Sequence, residues 1–281
     1  MHLFSAFAVL DPKGLIALSE RTLMLHAVEF MLIVAIPVYF LLFFFAWRYR
    51  ARKGNAIPNI KEEQPLYLPN WEHSKLEELV WWAIPLEIVL VLGALTWGST
   101  HQLDPRKPLD LLPGQAPLVV EVVALDWKWL FIYPEQNIAT VNYVRVPVDV
   151  PVEFKVTADA PMNSFWIPQL GGQIYAMTGM VNSLNLVANH VGKYDGGSAN
   201  YSGYGFAQMK FIAEATSQSD FDAWVASVKT NSTVLTQSEY RALAEQGVSK
   251  PLAYGSVASH LYDTIVMQFM DPGALERSMQ H

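Results

Sequence analysis

The sequence predicts a membrane protein of the α+β class, in which a two-helix transmembrane hairpin is followed by a β-sandwich and C-terminal helices. Three observations carry this prediction. Two long apolar stretches lie within the first hundred residues. A series of short runs rich in β-branched and aromatic residues, separated by turn residues, begins near residue 118. Helical spacing of apolar residues returns after residue 217.

The composition excludes several classes of function. The 281-residue chain has a formal charge of −7, and such a mildly acidic chain is not expected to bind nucleic acid. It contains no cysteine, which excludes disulfides, a thiolate nucleophile, and zinc or iron–sulfur sites built on cysteine.

Residues 1–21 are expected to form an N-terminal tail on the outer side of the membrane. The apolar run Leu3–Leu10 is short and ends at Asp11-Pro12. It could be the remnant of a signal sequence, but no charged segment precedes it. A short outer tail is at least as well supported.

Residues 22–100 are expected to form the transmembrane hairpin. The two spans, about 22–47 and about 79–100, are each long enough to cross a hydrocarbon core of ~30 Å. Pro37 and Pro85 lie inside them, and proline is tolerated in membrane helices. A buried helical hairpin of a soluble protein is the alternative, which two spans of this length and apolarity disfavour.

The connection between the spans predicts their orientation. Arg48, Arg50, Arg52 and Lys53 directly follow the first span, and positive residues at such a place favour a cytoplasmic loop. The loop 48–78 is therefore expected in the cytoplasm. Both termini are then expected outside, in the periplasm of a Gram-negative bacterium, with the chain crossing the inner membrane twice.

Two carboxylates, Glu29 and Glu87, interrupt the apolar spans. Ionisable groups inside a membrane are costly, so a functional role or a buried partner is the default hypothesis. We favour the simpler interpretation, that each is protonated or faces a partner subunit.

The region outside the membrane begins with a stiff, proline-rich linker, residues 101–117. Residues 118–216 then show short strand-like runs with turn residues between them, which is typical of a sandwich. The C-terminal region, 217–281, is expected to be helical. There Ser219 is a candidate helix cap, and Thr236 with Glu239 fits a capping box.

The segment from Gly192 to Met209 has the spacing of a known metal loop. It is similar to the binuclear copper (CuA) loop of cytochrome oxidase subunit II, which has the pattern C-x-E-x-C-G-x-x-H-x-x-M. The positions of the ligands and of the remote histidine are taken by Ser198, Asn200, Ser202, Phe206, Met209 and Asn163.

The residues at these positions argue against a metal. Copper of this kind requires soft thiolate and imidazole ligands, and among the ligand types only Met209 is kept. We therefore expect a cupredoxin-like sandwich without its copper, and no metal on any histidine, since no two of the histidines lie close together in sequence. On composition alone, the segment could also be an ordinary glycine-rich turn of some other antiparallel sandwich.

Other segments extend the resemblance. Asp126-Trp127-Lys128-Trp129 is similar to the aromatic segment near copper in cytochrome c oxidases, although it also fits a strand with an aromatic core face. The phrases DPKG, IYPEQNIATVN, MNSFWIP and QIYAMTGM resemble subunit II of the cytochrome bo-type ubiquinol oxidases. The resemblance covers nearly the whole chain, from Leu10 to Asp271.

This resemblance implies a subunit without redox chemistry of its own. The complex oxidises ubiquinol, reduces oxygen to water and pumps protons, and its haems, copper centre and quinol site belong to subunit I. Subunit II docks beside subunit I and small membrane subunits, and it needs no cytochrome c because electrons arrive from quinol in the bilayer.

The resemblance also implies a role for Glu78. With His73 and Pro85, this carboxylate has the family's spacing at the start of the second helix, where it marks the entrance of a proton path. Taken alone, Glu78 is better explained as a helix N-terminal carboxylate that the helix dipole favours.

Two departures from the family pattern and two alternatives accompany this interpretation. The lipid-modified cysteine that usually precedes DPKG is missing, and the loop carries a longer acidic insert at Glu62-Glu63. A cytochrome c oxidase subunit II with CuA is nearly excluded by the missing ligands. A membrane-anchored receptor or scaffold with a sandwich domain explains the topology but not the matched loop or the Glu78 segment.

Overall fold

The structure is a computed structural model that describes residues 8–48, 50, 73–109 and 116–270. Most of the loop 48–78, including Arg52, Lys53 and the acidic insert at Glu62-Glu63, lies outside the described residues, as does the C-terminal segment from 271 onward. The chain forms two compact units. One contains Leu23–Gln102, and the other contains Met1–Thr22 with Leu103–His281.

Two long helices, Leu15–Arg48 (α1) and Lys75–Gln102 (α2), confirm the prediction of two apolar helices. Both are long and apolar enough to cross a membrane. Pro37 and Pro85 lie inside them without ending them. The first helix begins at Leu15, before the predicted start at residue 22, because its first turns pack on the sandwich.

Short strands follow, as the sequence predicted. In chain order they are Leu118–Leu125 (β1), Lys128–Tyr133 (β2), Ile138–Val141 (β3), Tyr143–Pro147 (β4), Val152–Ala158 (β5), Asn163–Trp166 (β6), Gln173–Ala176 (β7), Asn182–Leu186 (β8), Gly192–Ser198 (β9), Lys210–Thr216 (β10), Val234–Leu235 (β11), Leu252–Tyr254 (β12) and Ser256–Val257 (β13).

These strands form a sandwich of two mixed sheets. The larger sheet has the order β12-β3-β2-β1-β5-β8, and the smaller has the order β4-β10-β9-β6-β7. The pairs β1–β5 and β4–β10 are parallel, whereas the other pairs in the two sheets are antiparallel. The predicted cupredoxin-like fold class is confirmed.

The first core lies between the two sheets, and aromatic rings dominate it. Phe165 and Phe211 stack with their centroids 5.2 Å apart and their planes 2° apart. The indole of Trp129 meets Phe165 edge-on at 5.4 Å. Such offset and edge-to-face pairs add stability beyond the area they bury.

The second core lies on the outer face of the larger sheet. Leu125, Leu130 and other apolar residues of β1–β3 project there because side chains alternate along a strand. The helices Gln237–Ala244 (α4) and Leu261–Met267 (α5) cover them. The C-terminal region is therefore a second layer on the sheet.

The C-terminal region contains more than the predicted helices. Besides Gln218–Lys229 (α3), α4 and α5, it holds three short strands, and one of them, β12, pairs with β3 at the edge of the larger sheet. The expectation that Ser219 caps the first helix was wrong. Ser217 is the cap, because its side chain accepts from Asp220 N, whereas Ser219 already lies inside the helix. Thr236 caps α4 as predicted.

The residues before the first span are fixed to the sandwich. Lys13 N donates to Gln169 O at 2.8 Å, and Gly14 forms a β-bridge with Ala188. Gly171 has a φ of +94°, and a Cβ there would meet Ala17 N at 2.5 Å. A glycine is needed at 171 because any side chain would push the start of α1 off the sandwich.

Candidate functional site

The six positions matched to copper ligands lie around the segment between β9 and β10. Ser198 ends β9, Met209 immediately precedes β10, and Asn163 is the first residue of β6. Strands β6 and β9 are antiparallel neighbours, with Phe165 opposite Ser198. This pairing brings Asn163 to the loop despite the distance in sequence.

Hydrogen bonds join three of these positions. Ser198 Oγ donates to Asn163 Oδ1 at 2.9 Å and accepts from Ser164 N at 3.2 Å. Asn200 N donates to Ser198 Oγ at 3.3 Å, and Asn200 Nδ2 donates to Met162 O at 2.9 Å. Asn163 is 1% exposed, so its carbonyl oxygen depends on the serine hydroxyl for a partner.

The other positions form a second group in the same loop. Ser202 Oγ lies 4.0 Å from Met209 Sδ, and Met209 is buried in the first core. The Phe206 ring meets Tyr201 edge-on with their centroids 5.6 Å apart. The structure thus divides the predicted positions into a group hydrogen-bonded at β6 and a group around Met209 and Phe206.

Trp127 holds this loop in place, a role that we did not predict from the sequence. It lies in the tight turn between β1 and β2 with a φ of 65°, which is rare for a bulky residue. Its Nε1 donates to Ser202 O at 3.0 Å. A Cβ at Gly205 would lie 2.1 Å from the indole. The glycine at 205 was the available sequence signal for this contact.

The second tryptophan of the same motif, Trp129, has a different place. It is fully buried in the first core, as the interpretation of a strand with an aromatic core face predicted. Its Nε1 has no hydrogen-bond partner in the part of the chain that the structure describes. The two tryptophans therefore have different roles, since Trp127 holds the loop in place and Trp129 packs in the first core.

The donor set at the loop does not fit a binuclear copper centre. It consists of two hydroxyls, two amides, a thioether and a phenyl ring, and all of them are neutral. Thiolate and imidazole, which select copper, are missing. Within residues 8–48, 50, 73–109 and 116–270, no group of three or more His, Cys, Asp or Glu side chains could hold a metal. Instead, Ser198 and Asn200 hydrogen-bond the loop to β6 and to Met162 just before it.

Glu78 lies in the first turn of α2, as predicted, and its side chain is exposed. Ser74 precedes the helix, and its hydroxyl accepts from Glu77 N at 3.4 Å. A carboxylate at this place is favoured by the helix dipole. Glu29 and Glu87 are also exposed, on α1 and α2, and neither has a hydrogen-bond or ion-pair partner within the described chain.

A titratable cluster that we did not predict from the sequence lies at the border of the second core. Glu121 projects from β1 on the outer face, opposite Lys155 of β5. Burial raises the pKa of the Glu121 carboxyl to about 7, the nearby charge of Asp263 adds to this, and Lys155 opposes it. Tyr262 and His260 line the same cavity of about 270 Å³.

Comparisons with known proteins agree across most of the chain. Residues 134–216 match the family described as "Cytochrome C oxidase subunit II, periplasmic domain", and residues 229–273 match the "COX Aromatic Rich Motif". The cytochrome bo(3) ubiquinol oxidase subunit 2 of Pseudomonas putida is 51% identical over 90% of this chain and 77% of the relative. The corresponding protein of Pseudomonas aeruginosa is 47% identical (94% and 76%), and the ubiquinol oxidase subunit 2 of Acetobacter aceti is 44% identical (96% and 85%).

Proposed function

Because the chain belongs to the family of bacterial ubiquinol oxidase subunits 2, we propose that it is subunit II of a respiratory complex in the inner membrane. This complex oxidises ubiquinol, reduces oxygen to water and pumps protons. The observation that carries the proposal is the identity of 51% over 90% of the chain, combined with a copper-type loop that lacks copper-type donors.

The chain's part in the complex is docking, without a redox centre of its own. Haems, a copper centre and the quinol site are expected in the partner, subunit I. Quinol delivers its electrons within the bilayer, so a relay that receives electrons from cytochrome c is not needed. The neutral donors of the loop and the absence of cysteine from the sequence support this role.

Purification through a tag on this chain tests the proposal. We expect a coloured complex that contains haem, oxidises ubiquinol with uptake of oxygen, and does not oxidise reduced cytochrome c. A receptor or scaffold would purify without pigment, and that result would overturn the proposal. The ratio of copper to haem tests the docking role. If this chain bound copper, the complex would contain more copper per haem than the copper centre of subunit I alone supplies.

The orientation of the chain follows from the basic residues after the first span. Both termini and the sandwich are proposed to lie in the periplasm, with the 48–78 loop in the cytoplasm, because positive loops stay inside. Protease added to spheroplasts should cleave the region after His101 and spare the loop. Cleavage confined to the loop would reverse the assignment.

Glu78 is proposed to help load protons into subunit I from the cytoplasmic side. Its support is its place in the first turn of α2 and the family resemblance. Glu78→Ala should slow turnover without changing assembly or haem content, and Glu77→Ala, in the same turn, should have a smaller effect. Turnover at the wild-type rate across a range of pH would show that Glu78 only stabilises the helix N-terminus.

The loop positions are proposed to be the remains of a copper site. The test combines five substitutions, Asn163→His, Ser198→Cys, Asn200→Glu, Ser202→Cys and Phe206→His, with native Met209. The variant complex should bind two additional copper ions and show the strong visible absorption of a thiolate-bridged pair. A folded variant that takes up no additional copper would contradict the proposal.

A further inference from the structure

Glu87 lies deep within the second membrane helix. Counted from Glu78, it is about 14 Å along the helix axis, and it is about 21 Å from His101 at the other end. A side chain at that depth is too far from either surface to reach water or lipid headgroups across a core of ~30 Å. Its carboxylate has no partner in the described part of the chain.

Glu29 provides a useful contrast on the first helix. It lies about 28 Å from Arg48, which is close to the full thickness of the hydrocarbon core. Its carboxylate can therefore approach the opposite membrane surface, where water can solvate it. Glu87 has no such access to water, so its carboxylate needs a hydrogen-bond donor that it does not contact in the described structure.

The face of α2 around Glu87 is suited to another helix. Within about 40° of Glu87 on the helix surface lie Val80, Ala83, Val91, Ala94 and Gly98. A Cβ at Gly98 would meet nothing within 4 Å. Small residues allow close approach of a second helix in a membrane, and polar side chains hydrogen-bond across such contacts.

We propose that this face of α2, with Glu87 at its centre, docks against a transmembrane helix of the haem-bearing large subunit, and that a cationic or hydrogen-bond-donating side chain of that helix binds the Glu87 carboxylate. The inference rests on the proposed function, since it names the helix face by which subunit II is held. A donor is required because an unpaired carboxylate is costly in hydrocarbon.

One side chain of the same chain is an alternative hydrogen-bond donor to the Glu87 carboxylate. Tyr39 lies about 14 Å along α1 from Arg48, which is the depth of Glu87 in an antiparallel hairpin. A Tyr39–Glu87 hydrogen bond would join the two helices of this chain to each other, and the carboxylate would not need a partner in the large subunit. Tyr39→Phe distinguishes the two cases, because it removes the hydroxyl and keeps the ring.

The experiment uses the full complex, purified in mild detergent through a tag on this chain. The measured quantity is the amount of haem recovered per tagged chain, with the membrane level of the chain determined by immunoblot. Glu87→Leu should insert at least as well as wild type but recover several-fold less haem, because the partner's donor is left buried and unpaired. Glu87→Gln should retain part of the haem, because its amide oxygen still accepts.

Matched variants on the opposite face sharpen the test. Val89 points about 160° away from Glu87, so Val89→Leu should recover haem normally. The double variant Glu87→Val with Val89→Glu keeps the carboxylate at nearly the same depth but on the wrong face, and it should behave like Glu87→Leu.

Three results would overturn the inference. Normal haem recovery by Glu87→Leu would show that the carboxylate does not bind the partner. Normal recovery by the double variant would show that its direction does not matter. A loss with Tyr39→Phe equal to that with Glu87→Leu would place the bond within the hairpin. If wild type itself recovers no haem, the proposed function fails instead.

Discussion

The two faces of the larger sheet support two cores of different character. The first core, against the smaller sheet, consists mainly of hydrocarbon side chains such as Phe165 and Phe211, and it also contains Tyr133, whose hydroxyl donates to Arg145 O at 2.9 Å. The second core, under α4 and α5, is closed by tyrosines whose hydroxyls must find partners. Tyr240 donates to Asp159 Oδ2, and Tyr262 donates to Lys155 O at 2.9 Å.

This difference determines how each core responds to its surroundings. Apolar packing is indifferent to pH, whereas the second core places Glu121, Asp263 and tyrosine hydroxyls at its border. Burial raises the pKa of both Tyr240 and Tyr262 above the ordinary range, so both stay protonated and can donate. The first core should therefore respond to changes of shape, and the second to changes of charge and hydrogen bonding.

The largest effect is expected in the first core. Trp129→Ala removes a fully buried ring and leaves a cavity beside Phe165, which should lower the free energy of unfolding by about 3–5 kcal/mol. Thermal unfolding of the purified chain, followed by near-ultraviolet circular dichroism, measures the loss. Trp129→Phe should lower the free energy of unfolding by less, at every pH. A loss for Trp129→Ala that varied with pH would contradict the expectation that the first core responds to shape and not to charge.

The next effect concerns pH and the second core. Because the folded pKa of Glu121 is about 7 against an ordinary 4.5, the folded state binds this proton more tightly than the unfolded state does. Stability should fall as pH rises from 4.5 to 7 and then level off, because the proton that favours the folded state is lost over this range. Glu121→Gln should flatten this dependence and make the protein more stable at pH 8, with little change at pH 4.

The control for Glu121 is Glu135→Gln, which also removes one negative charge, but at an exposed position. It should leave the pH dependence of unfolding unchanged. Equal effects of the two substitutions would mean that net charge, and not burial beside Asp263, governs the response.

The contrast between the two cores also explains what the sequence could predict. The sandwich and the loop were predictable because strand patterns and the spacing from Ser198 to Met209 are local signals. The second core was not, since its helices must be placed on the sheet by long-range packing, and strand β12 pairs with β3 across more than a hundred residues. Trp127 was noticed as part of an aromatic segment, but its contact with the loop was not predicted, because that contact exists only where the β1–β2 turn meets Gly205 in the folded protein.

Ser198→Ala tests whether a polar contact at the edge of the first core also contributes to the free energy of unfolding. It leaves the buried Asn163 Oδ1 without its partner, which should cost about 1–3 kcal/mol in the free energy of unfolding. Ser202→Ala is the matched control, because that hydroxyl contacts only a sulfur at 4.0 Å in the described chain. Equal losses for the two serines would show that the hydrogen bond to Asn163 does not stabilise the loop.

The smallest expected effect concerns the N-terminal cap of α4, one of the two helices that cover the second core. Thr236 caps α4 by accepting from Glu239 N at 3.2 Å, and α4 carries Tyr240 and Leu243 into that core. Thr236→Ala should lower the free energy of unfolding by about 1 kcal/mol, while Thr236→Ser keeps the acceptor and should lose much less. Hydrogen exchange should show the loss concentrated in α4, with the amides of β9 and β10 unchanged. Faster exchange throughout the smaller sheet would mean that the two cores unfold together. A substitution in one core would then lower the stability of both, despite their different chemistry.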